Sequence, residues 1–380
     1  MDFTLSDEQK MMRQVAAEIA DEQLAPKAEE MEEKCEIPAD LLKFLAEQGY
    51  FGLFLPEQYG GAELDFVTYA LMIEEFSRGS PAVALVVSVQ NALVGKPILT
   101  YGTDGQKKKY LAKVAAGELV GAFALTEEEA GSDAGNVQLR AAKKDGGYVL
   151  DGHKLYVTNG GFAGLFLVVA RTDPEAGGKG LSCFLIERDT PGFTVGKRFD
   201  GMGMRALDVR RLELEGCEVP ADALLGAEGE GLKIALASLD GSRIGVAAQA
   251  VGIAQQVFNE AKRYAGEREQ FGRPIISFQG IQFYFVEMAT RMEAARLLTM
   301  RAAALADAGG RFSAEAAMAK LYASEAANFA ANLGVQIHGG YGYMKDYVVE
   351  RFFRDARVTE IYEGTSEIQK LVIAGNLLKG

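Results

Sequence analysis

With 380 residues, 48% of them hydrophobic and 24% charged, the sequence carries ample core for a soluble protein of two or three domains and does not fit the disordered, fibrous or membrane classes. A formal charge of −13 with no Lys/Arg block argues against a nucleic-acid surface, so an anionic ligand would need local cationic contacts. Three widely spaced cysteines (Cys35, Cys183, Cys217) and two histidines (His153, His338) make neither a disulfide scaffold, a zinc cluster nor a Ser-His-Asp relay; no metal site is expected, and acid–base work falls to carboxylates.

The start, MDFTLSDEQK, lacks the basic-then-apolar pattern of a signal peptide, and no run reaches the roughly 18 apolar residues of a membrane span. The expected address is therefore the cytoplasm. Residues 1–120 read as a helical domain. Ser6-x-x-Gln9 is a capping box followed by Met11, Val15, Ala16 and Ile19 at helical spacing, and Pro38-Ala-Asp40 opens a second helix. After the loop at Tyr59-Gly60-Gly61, helices are predicted over 66–78 and 81–100. The second carries no charge from Ala82 to Gly95 and should be buried on nearly every side, either as a plain core helix or with Ser88, Gln90 and Asn91 lining an uncharged pocket.

From 121 to about 228 the texture becomes short apolar runs at intervals of roughly 8 to 15 residues between Gly, Asp and Pro turns, which predicts an antiparallel, barrel-like β domain. From 229 to 380 helical periodicity returns, over about 231–266, 278–307, 313–338, 344–356 and 366–378, as in a helical bundle. The fold class is thus α+β multidomain: helices, a β domain, then a bundle.

Six stretches bear on chemistry. Phe123-Ala-Leu-Thr-Glu-Glu-Glu-Ala-Gly-Ser-Asp133 is a strand ending in a polar loop, where the Thr126 hydroxyl and backbone N–H groups suit a ring edge or a phosphate. Tyr156-Val-Thr158 puts an aromatic and a hydroxyl on one strand face. Asp240 and Arg243 share a helix face, as an ion pair or as a ligand site. Arg268-Glu-Gln-Phe-Gly-Arg-Pro274 breaks between long helices and exposes a guanidinium suited to phosphate. Gln336-Ile-His-Gly-Gly-Tyr-Gly342 ends a helix at paired glycines that admit close approach of a ligand. In RVTEIYEGTSEIQKLVI (357–373) a β-prone run, Val358 to Tyr362, stops at Glu363-Gly364, and a Ser366-x-x-Gln369 capping box opens a helix. Glu363 then stands on a short turn, as a solvated loop acid or as a carboxylate facing a pocket.

In this order and spacing the six motifs resemble the acyl-CoA dehydrogenase flavoprotein family, most closely its short-chain (butyryl-CoA) branch, over essentially the whole chain. The resemblance implies an N-terminal helical domain, a middle β domain, a C-terminal four-helix bundle, one FAD per subunit and a homotetramer. It makes Glu363 the base that takes the α proton of an acyl-CoA thioester while flavin accepts the β hydride. Phe123, Leu125, Thr126, Ser132, Tyr156 and Thr158 would hold the isoalloxazine. Arg268, Gln279, Gln336, Gly339 and Gly340 would bind the ADP half of FAD, partly across a subunit interface, with Thr365 and Glu367 completing that site. Ser132, Asp240 and Arg243 would contact CoA, and Gly364 and Asn91 the bound substrate. An electron-transferring flavoprotein would collect the electrons.

Three positions depart from other branches. Ser242 stands where some branches place the base, and a hydroxyl cannot serve, so Glu363 stands alone. Ala84 and Leu85 occupy the stretch in which the glutaryl-CoA branch carries an arginine, which disfavours a dicarboxylyl substrate. Tyr156 replaces a tryptophan often found beside the flavin. The expected activity is dehydrogenation of a short or compact, uncharged acyl-CoA to the 2-enoyl-CoA. An acyl-CoA oxidase using O₂ is the weaker alternative, since those chains usually carry a further C-terminal domain. A catalytically silent flavin- or CoA-binding scaffold would have lost Glu363.

Overall fold

The computed structural model describes residues 4–378. Helix α1 (Asp7–Ile19) begins as its capping box requires: the Ser6 hydroxyl accepts from Gln9 N–H at 3.1 Å and the Gln9 side chain accepts from Ser6 N–H at 3.0 Å. After α2 (Ala28–Lys34) and α3 (Ala39–Glu47) come α4 (Phe66–Gly79) and α5 (Pro81–Ser88). A π-helical turn (Val89–Gly95) carries α5 on into α6 (Lys96–Tyr101), and α7 (Asp104–Ala115) closes the N-terminal domain. Contrary to the reading that no span is long and apolar enough, the continuous helix Pro81–Tyr101 qualifies by length and composition, with mean hydropathy 1.6. That window is 89% buried inside the protein, so its apolar surface is answered by the protein's own core.

The middle domain is one sheet of β1 (Gly121–Ala124), β2 (Arg140–Lys144), β3 (Gly147–Thr158), β4 (Leu165–Arg171), β5 (Leu181–Glu187), β6 (Phe193–Arg198), β7 (Val209–Pro220) and β8 (Leu224–Leu225), in the order β6-β7-β3-β2-β4-β5-β8. The antiparallel expectation holds for most of it. The correction is β1, which pairs in parallel with β4 from Gly121↔Leu165 to Ala124↔Val168, while β2 meets β4 in parallel at Arg140↔Arg171. A parallel pair needs a long crossover, and the polar loop after β1 with the β2–β3 hairpin supplies it. Strands β4 and β5 are buried almost throughout, because the long helix that opens the last domain crosses them.

That domain comprises α8 (Gly231–Glu267), α9 (Gln279–Asp307), α10 (Ser313–His338), α11 (Val348–Val358) and α12 (Ser366–Leu377), with a small hairpin of β9 (Glu269–Gln270) and β10 (Arg273–Pro274) between α8 and α9. The small-residue face of α8 lets α4 come close: a Cβ on Gly252 would stand 2.2 Å from the Glu74 carbonyl oxygen and 2.7 Å from Ser77 Cβ. Glu74 itself is wholly buried and paired with Arg296 of α9 at 3.0 Å and Arg13 of α1 at 3.4 Å, which ties the first and last domains together.

The β-prone run Val358–Tyr362 is a second correction. Val358 ends α11, whose buried face is Val349, Phe352, Asp355 and Ala356, and residues 359–364 form a turn with no strand alongside. Helical periodicity starting ten residues earlier outweighs local β propensity there.

Candidate active site

Glu363 and Gly364 both lie in left-handed backbone conformation, φ +56° and +94°, a costly choice for a glutamate that the surroundings must hold in place. Three helices do so. Arg243 Nε of α8 donates to the Glu363 carbonyl at 3.2 Å, Lys320 Nζ of α10 donates to the Gly364 carbonyl at 2.8 Å, and Gln369 Nε2 of α12 donates to both, at 3.1 and 2.8 Å. The cap of α12 is accordingly not the expected Ser366/Gln369 box. Thr365 is the N-cap, its hydroxyl accepting from Ile368 N–H at 3.4 Å, and Gln369 is left free to grip the turn.

Glu363 so placed is half-buried, and its Oε2 is out of solvent with no hydrogen-bond partner. Burial raises its pKa from 4.5 to about 7, against the opposing pull of Arg243 first and Lys320 second. The Ser242 hydroxyl is near enough to favour ionisation slightly, yet Ser242 Oγ completes no hydrogen bond of ordinary geometry. The site thus holds a carboxyl group whose pKa burial pushes upward and whose Oε2 is an unused acceptor.

Asp240 and Arg243 do form the ion pair that their spacing allows, at 2.7 Å, and Asp240 also accepts from the Ser313 hydroxyl. On the preceding turn, Tyr362 donates its hydroxyl to Gln249 of α8, whose amide donates to Pro81 O at 2.7 Å. Tyr69, bonded to Ser88 at 2.7 Å, also faces Glu363, whose charge and the burial of the phenol both raise the Tyr69 pKa.

The β domain presents Phe123, Leu125, Thr126, Tyr156 and Thr158 as partly or fully exposed side chains along one open region, with Ser132 on the exposed loop beyond. Tyr156 sits at a β-bulge with φ +55°, which turns its ring outward against Phe199 at 4.7 Å between centroids. Beneath this region, Lys154 Nζ donates to the Leu125 carbonyl at 2.9 Å and to Glu127 at 2.6 Å, and Glu127 accepts from the backbone of Gln138 and Leu139 at 2.6 and 3.1 Å. At the far end of α8 a cleft of about 570 Å³ collects Arg268, Gly339 and Gly340 beside Tyr264 and Tyr341. Gly339 has φ +61°, and nothing lies within 4 Å of where a Cβ would stand on either glycine, so their backbone is open to a ligand. An exposed guanidinium beside bare backbone suits a pyrophosphate. Gln279, Gln336 and Glu367 are exposed but do not line this cleft, and Thr365 is engaged as the cap.

Asn91 is the clear correction among the candidate binding residues. Its amide accepts from Leu53 N–H at 2.7 Å and donates to Tyr50 O and Val87 O at 2.8 and 2.9 Å, so every polar atom is used to fasten backbone. Gln90 similarly bonds Val114 O, Leu119 O and Gly121 N–H, joining the first domain to β1. Neither lines a polar pocket. Lys154, Glu127, Lys320 and Gln369 were missed from the sequence. Lys320 left a readable trace, as a lone cation among Ala316, Ala319 and Ala323 on the buried face of α10.

The comparisons with known proteins agree throughout the chain. Family models for the N-terminal, middle and C-terminal domains of acyl-CoA dehydrogenase match residues 6–118, 122–217 and 229–378. An acyl-CoA dehydrogenase of Bacillus subtilis (strain 168) is 49% identical over 376 residues, covering 99% of each chain. The acryloyl-CoA reductase (NADH) of Anaerotignum propionicum is 46% identical over 381 residues, covering 100% of this chain and 96% of its own. The structure of butyryl-CoA dehydrogenase from Megasphaera elsdenii superposes with a TM-score of 0.98 at 42% identity, covering all of both chains.

Proposed function

The chain belongs to the acyl-CoA dehydrogenase family, whose cofactor is FAD, and from that premise we propose that it desaturates a short or compact, uncharged acyl-CoA thioester to the 2-enoyl-CoA with Glu363 as its base. The observation that carries this reading is the half-buried Glu363 carboxylate with its unpaired Oε2 on a turn fixed by Arg243, Lys320 and Gln369. FAD, when bound, supplies the acceptor for the β hydride. Glu363 receives the α proton, and the burial that raises its pKa makes it a stronger base towards a weak carbon acid. The Glu363 backbone N–H would donate to the thioester carbonyl, whose polarisation acidifies the α carbon. The open β-domain residues Thr126, Tyr156 and Thr158 would hold the flavin ring, and the Arg268/Gly339/Gly340 cleft its ADP half. Asp240, Arg243 and Ser132 would lie towards CoA.

The substrate class rests on the absence of cations where an acyl chain would end. From Ala82 to Gly95 every residue is buried and none is charged, and the next cation, Lys96, lies over the Phe54 and Phe66 rings at 4.8 Å from each centroid. A second carboxylate would go unpaired there. A panel of acyl-CoA thioesters assayed with an artificial electron acceptor is expected to give its highest kcat/KM on short uncharged chains and at least ~10²-fold less on glutaryl-CoA. Comparable values for butyryl-CoA and glutaryl-CoA would show that another residue pairs with the carboxylate.

Arg268→Ala is expected to lower FAD content per subunit without a matching loss of subunit stability, since the side chain is exposed and lies over the Tyr341 ring, 5.7 Å from its centroid. Flavin absorbance per subunit equal to the parent's would remove Arg268 from the cofactor site. Exposed Phe283, Val286, Leu371 and Leu377 favour assembly of copies, in keeping with a homotetramer, and the three free cysteines accord with a reducing cytoplasm. An electron-transferring flavoprotein is the proposed electron acceptor.

A further inference from the structure

Lys320 has no relative exposure at all, and among the described residues no carboxylate lies within 4.0 Å of its ammonium. Among the described residues its one hydrogen bond goes to the Gly364 carbonyl. That carbonyl already has a neutral donor, the Gln369 amide, at the same 2.8 Å. A second neutral amide would have completed the contact without desolvating a charge, which is among the costliest things a helix can bury. The charge, rather than the N–H, is what Lys320 adds.

The groups facing this pair show where that charge is directed. From α8 come Arg243, already paired with Asp240, and the Ser242 hydroxyl; from α4 comes Tyr69. The turn contributes Tyr362 and Glu360, the latter paired with Arg357, and α12 contributes Glu367. Once the paired groups are set aside, buried Lys320 and half-buried Glu363 are, among the described residues, the two opposite charges here that lack ion-pair partners of their own. We propose that Lys320 is a positioning residue for the reaction, holding the Gly364 carbonyl and placing a positive charge beside the Glu363 turn so that the base ionises. This rests on the reading of Glu363 as the base. The behaviour of both groups is consistent with the placement: burial lowers the Lys320 pKa to about 8, with Glu363 the largest opposing influence, and Lys320 in turn favours ionised Glu363.

The test is the pH dependence of kcat/KM for the FAD-loaded enzyme on butyryl-CoA with an artificial electron acceptor. Lys320→Met should move the acid limb up by about one pH unit, so that kcat/KM at pH 6 falls ~10-fold, while above pH 9, where the parent lysine has itself lost its charge, the two enzymes should agree within about threefold. Lys320→Arg, which keeps the charge, should restore the parent limb. Superimposable profiles for Lys320→Met and parent, or an equal fall at every pH in both variants, would overturn the proposal. If Lys320→Met does not yield folded protein, Lys320→Gln reads the same limb with a donor to Gly364 retained. Glu363→Gln run alongside separates the two claims: full activity there removes the base itself, whereas an inactive Glu363→Gln with an unmoved Lys320→Met limb removes only the role of Lys320.

Discussion

Glu363→Gln is expected to bind acyl-CoA and perturb the flavin spectrum as the parent does, yet reduce flavin at least ~10³-fold more slowly, the strong end of general-base effects. Glutamine keeps the size of the side chain, and the contacts that hold the turn are made to the carbonyls of residues 363 and 364, which the substitution leaves in place. What disappears is the atom that can take a proton. Ser242→Ala should cost little, because its hydroxyl completes no hydrogen bond of its own. Anaerobic stopped-flow bleaching of the flavin decides the matter, and a variant reduced as fast as the parent would place the base elsewhere. The same variant has a second signature. With the carboxyl raised from 4.5 to about 7, the folded parent holds a proton that the unfolded chain has lost, so its stability falls as pH rises through that window. Glutamine does not titrate. Glu363→Gln should therefore match the parent below pH 4.5 and exceed it above pH 7 by roughly 3 kcal/mol, read from unfolding midpoints at the two pH values.

Lys154→Met is expected to cost about 3 to 5 kcal/mol and to strip FAD from the protein, because it leaves Glu127 charged and alone in the interior. The damage should be local. Lys154 grips both the Leu125 carbonyl and Glu127, and Glu127 in turn orders Gln138 and Leu139 on the other side of the loop, so the segment that presents Thr126 loses its floor. Adding Glu127→Gln to Lys154→Met removes the stranded charge and should recover at least part of the stability, and with it part of the flavin. Urea unfolding and flavin absorbance per subunit measure both. A single variant within 1 kcal/mol of the parent and fully flavinated would show that the pair is ornamental.

The helices and strands were legible because their apolar residues recur at 3.6 or 2 residues and their ends carry recognisable caps, as at Ser6, Pro38 and Gly339. The reading failed where one residue had two plausible uses. Gln369 fits a capping box as well as it fits a clamp on the preceding turn, and only the position of Thr365 decides between them. Asn91 in an uncharged helix looks like a pocket lining until Leu53, Tyr50 and Val87 are seen to occupy its amide, contacts that span 38 and 41 residues for the first two. The Val358–Tyr362 run has strand composition, but among the described residues no neighbouring strand accepts it. Buried cations such as Lys154 and Lys320 are harder still, since a lysine is by default a surface residue and its burial follows from partners far away in sequence.

The packing of α4 and α5 on α8 has a consequence for how the chain is made. Glu74 waits for Arg296, and the charge-free stretch from Ala82 to Gly95 waits for a helix that begins at Gly231, with the whole β sheet synthesised in between. On a ribosome adding about 5 to 20 residues per second, that apolar helix stays without its cover for many seconds, long enough for a sticky nascent segment to meet other chains. The first domain is therefore expected to be a poor independent folder and to lean on holdase chaperones until α8 emerges.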